Sequence, residues 1–145
     1  MIELNEEQSL DELEVKRIHD GLVATDPVDQ PRHYAPLFLS LRDSDLRLVG
    51  GVLASTVWNW RSIDALWVNP ELRGQGYGSR LVARAEQVAR SRGCTHARLD
   101  TFDYQARVFY ERLGYSVYAQ LAGFLKGHTQ LHMTKLLPLS SRGDR

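Results

Sequence analysis

The chain has 145 residues, of which 43% are hydrophobic and 25% charged, and its 18 basic and 18 acidic residues cancel. This length and composition predict a single globular domain over residues 1–145. The balanced charge argues against nucleic acid or an anionic membrane as a main partner, and no apolar run in the sequence approaches the ~20 residues that span a bilayer.

Two features of the sequence bear on the compartment. Cys94 is the only cysteine, so no disulfide can form within the chain, which fits a reducing cytoplasm. It follows a predicted helix-to-strand turn, where a buried structural thiol is favoured over a nucleophile. The N-terminal residues are acidic and lack the apolar segment of a signal peptide. We therefore expect a cytoplasmic protein.

The first half of the chain predicts one helix followed by strands. In chain order the patterns predict a strand at 2–4, a helix at 10–24, a loop at 26–36, and strands at 37–41, 46–57 and 62–68. Ser9 is the expected N-cap of the helix, with Glu12 at the capping-box position. Gly50 and Gly51 indicate a bulge or bend in the second strand, and a turn is expected at 58–61.

The second half alternates helices and strands. The patterns predict a helix at 78–92, a strand at 97–102, a short helix at 106–113, strands at 115–121 and 131–136, and a frayed tail at 138–145. Gly93 and Gly114 are the expected ends of the two helices. The whole order predicts a mixed α/β sheet with antiparallel hairpins at its start and end.

A glycine-rich run, Arg73-Gly74-Gln75-Gly76-Tyr77-Gly78-Ser79, lies between a predicted strand and a predicted helix. Glycines at alternate positions let the backbone approach a ligand closely, because no Cβ intervenes. The helix that follows points unpaired N–H groups and the positive end of its dipole at the loop. The run predicts a phosphate or pyrophosphate site, although short motifs of this kind also occur in ordinary turns.

Two segments resemble the signatures of one enzyme family, the GNAT N-acetyltransferase superfamily. Residues 68–81, Val-Asn-Pro-Glu-Leu-Arg-Gly-Gln-Gly-Tyr-Gly-Ser-Arg-Leu, resemble its acetyl-CoA signature: Arg or Gln, two residues, Gly, one residue, then Gly or Ala. Residues 106–115, Ala-Arg-Val-Phe-Tyr-Glu-Arg-Leu-Gly-Tyr, resemble its second signature. The resemblance covers 37–136. It implies a central, mostly antiparallel sheet flanked by helices and splayed at the acetyl-CoA site, and transfer of an acetyl group from acetyl-CoA to an amine.

The resemblance also implies which residues bind the cofactor. Backbone N–H groups of residues 75–79 would hold the pyrophosphate, and the strand at 62–68 would pair with the pantetheine arm and polarise the thioester carbonyl near Leu66. The cofactor-binding residues expected in this way are Leu66, Val68, Arg73, Gly74, Gln75, Gly76, Tyr77, Gly78, Ser79 and Asp103. Asp103 departs from the family, where Asn is common at this position. The departure matters because an ionised carboxylate cannot donate a hydrogen bond.

Tyr110 is the expected proton donor to the leaving thiolate, because it matches the tyrosine that often has this role in the family. A phenol has the required donor chemistry. The alternative is that Tyr110 is a core aromatic, because its neighbours Phe109 and Leu113 have a core pattern.

Asp64 is the expected base. Acetyl transfer needs a neutral amine, and an alkyl ammonium ion has a pKa near ~10.4 in water, so a base or a water chain must remove a proton. Strand alternation places Asp64 on the same predicted face as Ser62, Leu66 and Val68. A carboxylate within an apolar strand is costly unless it is satisfied or functional. The alternative is a partly exposed aspartate that pairs with an arginine or caps a turn.

The five histidines do not form a metal-binding pattern. His128 and His132 share a predicted strand face, but no acidic residue accompanies them in the sequence, so we expect no metal. Trp58 and Trp60 flank a turn, where they could form the wall of an acceptor pocket or pack as ordinary core residues.

Two other functions compete with the acetyltransferase. The glycine run suggests a dinucleotide-binding Rossmann unit, but residues 70–73 make the turn before the first glycine too long for that motif. A non-catalytic acetyl-CoA sensor or assembly module is the second alternative. The expected partners are therefore acetyl-CoA and an unidentified amine, with a homodimer as one expected state.

Overall fold

The computed structural model describes residues 1–25 and 33–138. The chain divides into two compact units, residues 1–31 and 32–145. The single domain over 1–145 stays a prediction, and the expected loop and C-terminal tail lie largely outside the described residues. Within the described ranges no helix is long and apolar enough to cross a membrane.

The N-terminal unit contains one helix, α1 (Glu12–Ala24). Its N-cap is Asp11, whose carboxylate accepts a hydrogen bond from the Glu14 N–H at 2.8 Å, while the Glu14 carboxylate accepts one from the Asp11 N–H at 3.1 Å. The prediction of Ser9 as N-cap is therefore wrong by two positions, because this reciprocal pair satisfies the helix start. The strand predicted at 2–4 is not formed.

Among its described residues, the second unit contains a six-stranded sheet, two α-helices and a short 3-10 helix at Pro70–Leu72. Its elements are β1 (Ala35–Arg42), β2 (Leu48–Val57), β3 (Trp60–Val68), α2 (Tyr77–Ser91), β4 (His96–Phe102), α3 (Arg107–Arg112), β5 (Ser116–Leu125) and β6 (His128–Leu136). The strand order is β1-β2-β3-β4-β6-β5. Only β3 and β4 pair in parallel, and the other neighbours are antiparallel. This confirms the predicted mixed, mostly antiparallel sheet and excludes the doubly wound Rossmann alternative.

Five of the six strands are longer than predicted, and β2 begins two residues later than predicted. The turn before β3 is Trp58 and Asn59 alone, with Val57 paired to Trp60 and Trp58 at a φ of 50°. The register irregularity in the first hairpin falls at Val49, next to the predicted position. A Cβ on Gly51 would lie 2.6 Å from the Leu39 carbonyl oxygen, so this glycine permits close strand approach.

The core of this unit lies between the sheet and α2. The apolar face of α2 is buried, and so are alternate residues of the central strands; the buried α2 side chains are Leu81, Val82, Ala85, Glu86 and Ala89. Cys94 is 3% exposed, as the structural interpretation predicts. Burial raises the pKa of the Cys94 thiol, against the opposing charges of Arg92 and Arg61, so it is a poor nucleophile.

Candidate active site

The parallel strands β3 and β4 separate at the centre of the sheet. Their pairing runs from Trp60 opposite His96 to Ile63 opposite Leu99 and then stops. On the other side of β3, Ile63 pairs with Ala54 and Ala65 pairs with Leu53 of β2, so Asp64 is an extra residue in a β-bulge. A bulge bends its strand and increases the local twist. The predicted splay is therefore present, and Asp64 lies at the point where it begins.

The bulge changes which side chains share a face. Before it, Ser62 pairs with Ser55; after it, Leu66 pairs with the buried Val52. Ser62 and Leu66 thus point to opposite faces of the sheet, since one inserted residue reverses the alternation. The prediction that Ser62, Asp64, Leu66 and Val68 share one face is wrong for this reason.

A cleft of about 290 Å³ occupies the space between the separated strands. It brings together the two predicted catalytic residues, Asp64 from the bulge and Tyr110 from α3. The other lining residues are Ile63, Ala65, Leu66, Leu99, Asp100, Thr101, Gln105 and Ala106. No role in an acetyl-transfer site was predicted for Asp100, because its position in the cleft depends on where β4 leaves β3.

A groove of about 530 Å³ adjoins the cleft and shares Leu66 and Ala106 with it. Eight of the ten predicted cofactor-binding residues line this groove: Leu66, Val68, Arg73, Gly74, Gly76, Tyr77, Gly78 and Ser79. Gln75 and Asp103 are not among its lining residues. The remaining walls are Trp67, Leu72, Ala106 and Phe109.

The N-terminus of α2 opens onto the groove. Gly74 and Gly76 have φ angles of 76° and 85°, a left-handed conformation that glycine adopts without strain. No side chain caps the helix, and its first turn contains no acidic residue. The first intrahelical main-chain bond joins the Arg80 N–H to the Gly76 carbonyl, so the preceding N–H groups lack helical acceptors. This end of the helix suits an anion.

At Gly78 the absence of a side chain matters for packing rather than for a positive φ angle. A Cβ there would lie 3.2 Å from Cζ of Phe109, so glycine lets α2 approach α3 without displacing that ring. Arg73 also has a local contact, because its Nε donates a hydrogen bond to the Val68 carbonyl at 3.1 Å. This bond ties the loop to the end of β3.

Tyr110 combines the two roles that its sequence pattern left open. It is 7% exposed and its ring meets those of Phe109 and Tyr115 edge-on, with centroids 5.0 and 5.7 Å away. It also lines the cleft. Burial raises the pKa of the Tyr110 phenol, against an opposing effect of the Arg61 charge, so the group stays protonated at neutral pH.

Asp64 is exposed, and no hydrogen bond or ion pair engages it within the described part of the chain. The alternative in which an arginine neutralises it has no support among those residues. A free carboxylate at the start of the splay can attract a cation and accept a proton.

Each of two histidines on β6 is paired with an aspartate near β4. His132 Nδ1 lies 2.6 Å from Asp100 Oδ1, and His128 Nδ1 lies 3.0 Å from Asp103 Oδ1. The prediction that no acidic residue accompanies these histidines is therefore wrong, since strand pairing brings Asp100 and Asp103 beside them. Among the described residues, however, no group of three or more His, Cys, Asp or Glu is arranged to hold a metal.

The contacts of Asp103 differ from those expected of a cofactor ligand. Its carboxylate faces His128 and accepts the Thr129 N–H at 3.1 Å, which joins the end of β4 to the β5–β6 hairpin. Desolvation acts to raise the pKa of Asp103, but the hydrogen bonds from Thr129 and His128 outweigh it and the pKa is lowered. A role of Asp103 toward the cofactor stays a prediction.

Trp58 and Trp60 do not line the cleft or the groove. Trp60 is at the opposite end of β3, where it stacks on His96 with ring centroids 4.5 Å apart. The interpretation of Trp58 and Trp60 as an acceptor pocket wall therefore gains no support from these two sites.

Comparison with known proteins agrees with this geometry. The profile of the acetyltransferase (GNAT) family matches residues 4–115. Blasticidin-S acetyltransferase of Streptomyces morookaense is 42% identical over 91 residues, which are 62% of this chain and 67% of that protein. Thialysine N-epsilon-acetyltransferase of Bos taurus is 36% identical over 63 residues, 41% of this chain and 37% of that protein.

The fold has close structural relatives as well. The crystal structure of an acetyltransferase from Bacillus cereus superposes with a TM-score of 0.80 at 27% identity, covering 92% of this chain and 98% of that one. The family match, the splayed sheet and the glycine loop at a helix start agree with one another, and we conclude that the chain belongs to the acetyltransferase (GNAT) family and is an acetyl-CoA-dependent N-acetyltransferase.

Proposed function

We propose that this protein acetylates a primary amine of a small cationic acceptor, by direct attack of the amine while acetyl-CoA and acceptor are bound together. The observation that carries this proposal is the continuity of the groove and the cleft, which meet at Leu66 and Ala106. A ligand in the groove and an amine in the cleft come together beside Tyr110. Direct transfer between two bound reactants gains from such positioning.

The groove is the proposed site of the cofactor. The N–H groups at the start of α2 hold its pyrophosphate, with Gly74 and Gly76 in the conformation that this loop requires. The strand edge at Leu66, which has no partner on the β4 side beyond Ile63, holds the extended arm. Acetyl-CoA supplies the acetyl thioester, and the Leu66 N–H is the donor that we assign to its carbonyl oxygen.

Two residues carry the proposed proton transfers. Asp64 attracts the ammonium form of the acceptor and takes its proton, directly or through a water. Tyr110 gives a proton to the departing sulfur. Tyr110 belongs to the buried cluster that includes the α2 side chains, and Asp64 is the bulged residue of β3, so we assign the two proton transfers to separate side chains of the cleft.

The acceptor class follows from charge and from two relatives. Asp64 lines the cleft and has no ion pair among the described residues, which favours a cationic acceptor over a neutral or acidic one; Asp100 also lines the cleft but is paired with Arg98. One relative is named for blasticidin S and another for thialysine. We therefore propose a small amine with at least one further polar group. The second candidate, an acetyl-CoA sensor without turnover, is less well supported because Tyr110 and Asp64 meet in the same cleft.

An acceptor panel tests the proposal. Purified protein is incubated with acetyl-CoA and blasticidin S, thialysine, a polyamine or a peptide with a free N-terminus, and release of free thiol is followed together with the product mass. We expect acetylation of at least one of the small amines. Tight binding of acetyl-CoA without acetylation of any amine would favour the sensor.

A further inference from the structure

We infer that the pair His132–Asp100 is the final acceptor of the proton that the substrate amine loses. This inference rests on the proposed function and extends its proton path by two residues. Asp64 begins the path at the bulge, and the pair ends it on the next strands of the sheet.

Strand pairing brings the two side chains together. Asp100 of β4 and His132 of β6 are direct partners across the antiparallel ladder. Their neighbours Leu99 and Met133 are buried against the α2 side, so Asp100 and His132 lie on the opposite face. Asp100 also lines the cleft. The pair is thus on the face of the sheet opposite the buried side that Tyr110 belongs to.

The contact fixes where the histidine carries its proton. Asp100 Oδ1 lies 2.6 Å from His132 Nδ1, a distance at which a carboxylate accepts the Nδ1–H. The ring then presents the lone pair of Nε2 as a base. No hydrogen bond to Nε2 is found within the described ranges, and the His132 side chain is 18% exposed.

Three other charged or titratable groups lie near the pair: Arg98, Tyr118 and Asp64. Arg98 Nη2 lies 3.3 and 3.4 Å from the two Asp100 oxygens, and the ring of Tyr118 lies 6.1 Å from that of His132. Asp64 lines the same cleft as Asp100. Arg98 donates hydrogen bonds to both oxygens of Asp100, and Oδ1 also faces His132 Nδ1, so one carboxylate joins the two side chains.

The chemistry explains why a second proton acceptor is useful. An ordinary imidazole has a pKa near ~6.5 and an ordinary aspartate near ~3.9, so an imidazole binds a proton about 400-fold more tightly. The N–H bond of the ammonium breaks and its electron pair stays on nitrogen for the attack. The proton passes through Asp64 or water to His132 Nε2, where an N–H bond forms. The imidazolium later releases this proton to solvent.

The first test measures turnover with blasticidin S and thialysine as acceptors. We expect His132→Ala to lower kcat by about 10²-fold, the usual scale for proton transfer, with unchanged acetyl-CoA affinity. Added imidazole should restore part of kcat, and more basic methylimidazoles should restore more. Wild-type kcat in the variant, or a loss without rescue, would overturn the inference.

The chain provides a matched control. His128 lies on the same strand and also faces an aspartate, but neither member of that pair lines the cleft. His128→Ala should therefore show no increase of kcat when imidazole is added. Equal rescue of both variants would contradict the assignment of His132.

The second test needs no acceptor and no turnover. Long-range ¹H–¹⁵N NMR of the labelled protein distinguishes the two neutral forms of a histidine ring. We expect His132 to carry its proton on Nδ1 in the wild type and to lose this preference in Asp100→Asn. A ring protonated on Nε2 would overturn the inference. If the wild type acetylates no amine, the proposed function fails, and this spectrum still decides the state of the pair.

Discussion

Glu86 of α2 and Lys135 of β6 form an ion pair across the core, with Lys135 Nζ 3.0 Å from Glu86 Oε2. Glu86 Oε1 also accepts a hydrogen bond from the Tyr115 hydroxyl at 3.1 Å. The Glu86 side chain is 9% exposed and that of Lys135 is 23% exposed. The pair therefore joins helix and sheet where solvent screens it little.

Removal of one partner of this ion pair should lower the free energy of unfolding more than removal of both partners. We expect Lys135→Met to lower the free energy of unfolding by roughly 2–3 kcal/mol, because it leaves a nearly buried carboxylate without its cation. The double variant Glu86→Met/Lys135→Met should recover part of that loss. Urea unfolding of the single and double variants measures the coupling, and strictly additive losses would contradict it.

Gly76→Val should abolish binding of acetyl-CoA. A valine at a φ of 85° is strained and moves the loop that we assign to the pyrophosphate. Gly93→Val is the matched control, because Gly93 has a φ of 87° at the other end of α2 and, like Gly76, open space where a Cβ would lie. Both variants should lose about 1–2 kcal/mol of stability. Titration calorimetry should find normal affinity only in the Gly93 variant; normal affinity in both would contradict the assignment.

Tyr110→Phe should lower kcat by about 10²-fold or more while acetyl-CoA affinity changes little, since the ring is kept and only the proton is lost. Tyr115→Phe is the control, because it removes a neighbouring buried hydroxyl that bonds Glu86 rather than lining the cleft. Pre-steady-state mixing should show that chemistry limits the rate. A Tyr110 variant with near-normal kcat under that condition would leave Tyr110 as a core aromatic.

Asp64→Asn should raise KM for a cationic acceptor and lower turnover at neutral pH. The amide keeps the shape of the side chain but neither attracts the ammonium nor accepts its proton. Turnover should recover in part at high pH, where more of the acceptor amine is neutral. Initial rates between pH 6 and 10 provide the measurement, and wild-type rates throughout would exclude Asp64 from the proton path.

Stability should fall in alkaline solution because two buried phenols resist ionisation. Burial raises the pKa of Tyr110 and of Tyr115 above the ordinary value. Below pH ~10 both folded and unfolded chains keep these protons; above it only the unfolded chain loses them, so the free energy of unfolding declines as pH rises. Urea unfolding at pH 8, 10 and 11 should show this decline. Tyr115→Phe should reduce its slope, and the exposed Tyr118→Phe should not.

The sequence predicts best what depends on local pattern. The glycine loop, the long helix and the strand that precedes it are contiguous, and the structure places eight of the predicted cofactor residues along one groove. The family resemblance predicted the splay, which the structure contains, and the role of Tyr110, which stays a prediction. Cytoplasmic location, a homodimer and the single domain stay predictions.

The sequence predicts less well what depends on register. The N-cap is Asp11 rather than the predicted Ser9, because Asp11 and Glu14 each accept a hydrogen bond from the other's backbone N–H. The faces of β3 were misassigned because one bulged residue reverses them. Asp100 and His132 are 32 positions apart, and only the pairing of β4 with β6 makes them neighbours. A single sequence contains no signal for that pairing.

The separation of β3 from β4 gives the sheet two open edges in its middle. Proteins usually cover or charge such edges, because unpaired N–H and C=O groups invite the addition of a foreign strand. Here the edges stand at the place where we propose that the extended, amide-bearing arm of acetyl-CoA binds. On this proposal, binding of the cofactor adds the last strand-like pairing to the sheet. Main-chain amides of β3 after Ile63 that face β4 should then exchange with solvent as those of an outer strand do, and exchange more slowly when acetyl-CoA is added.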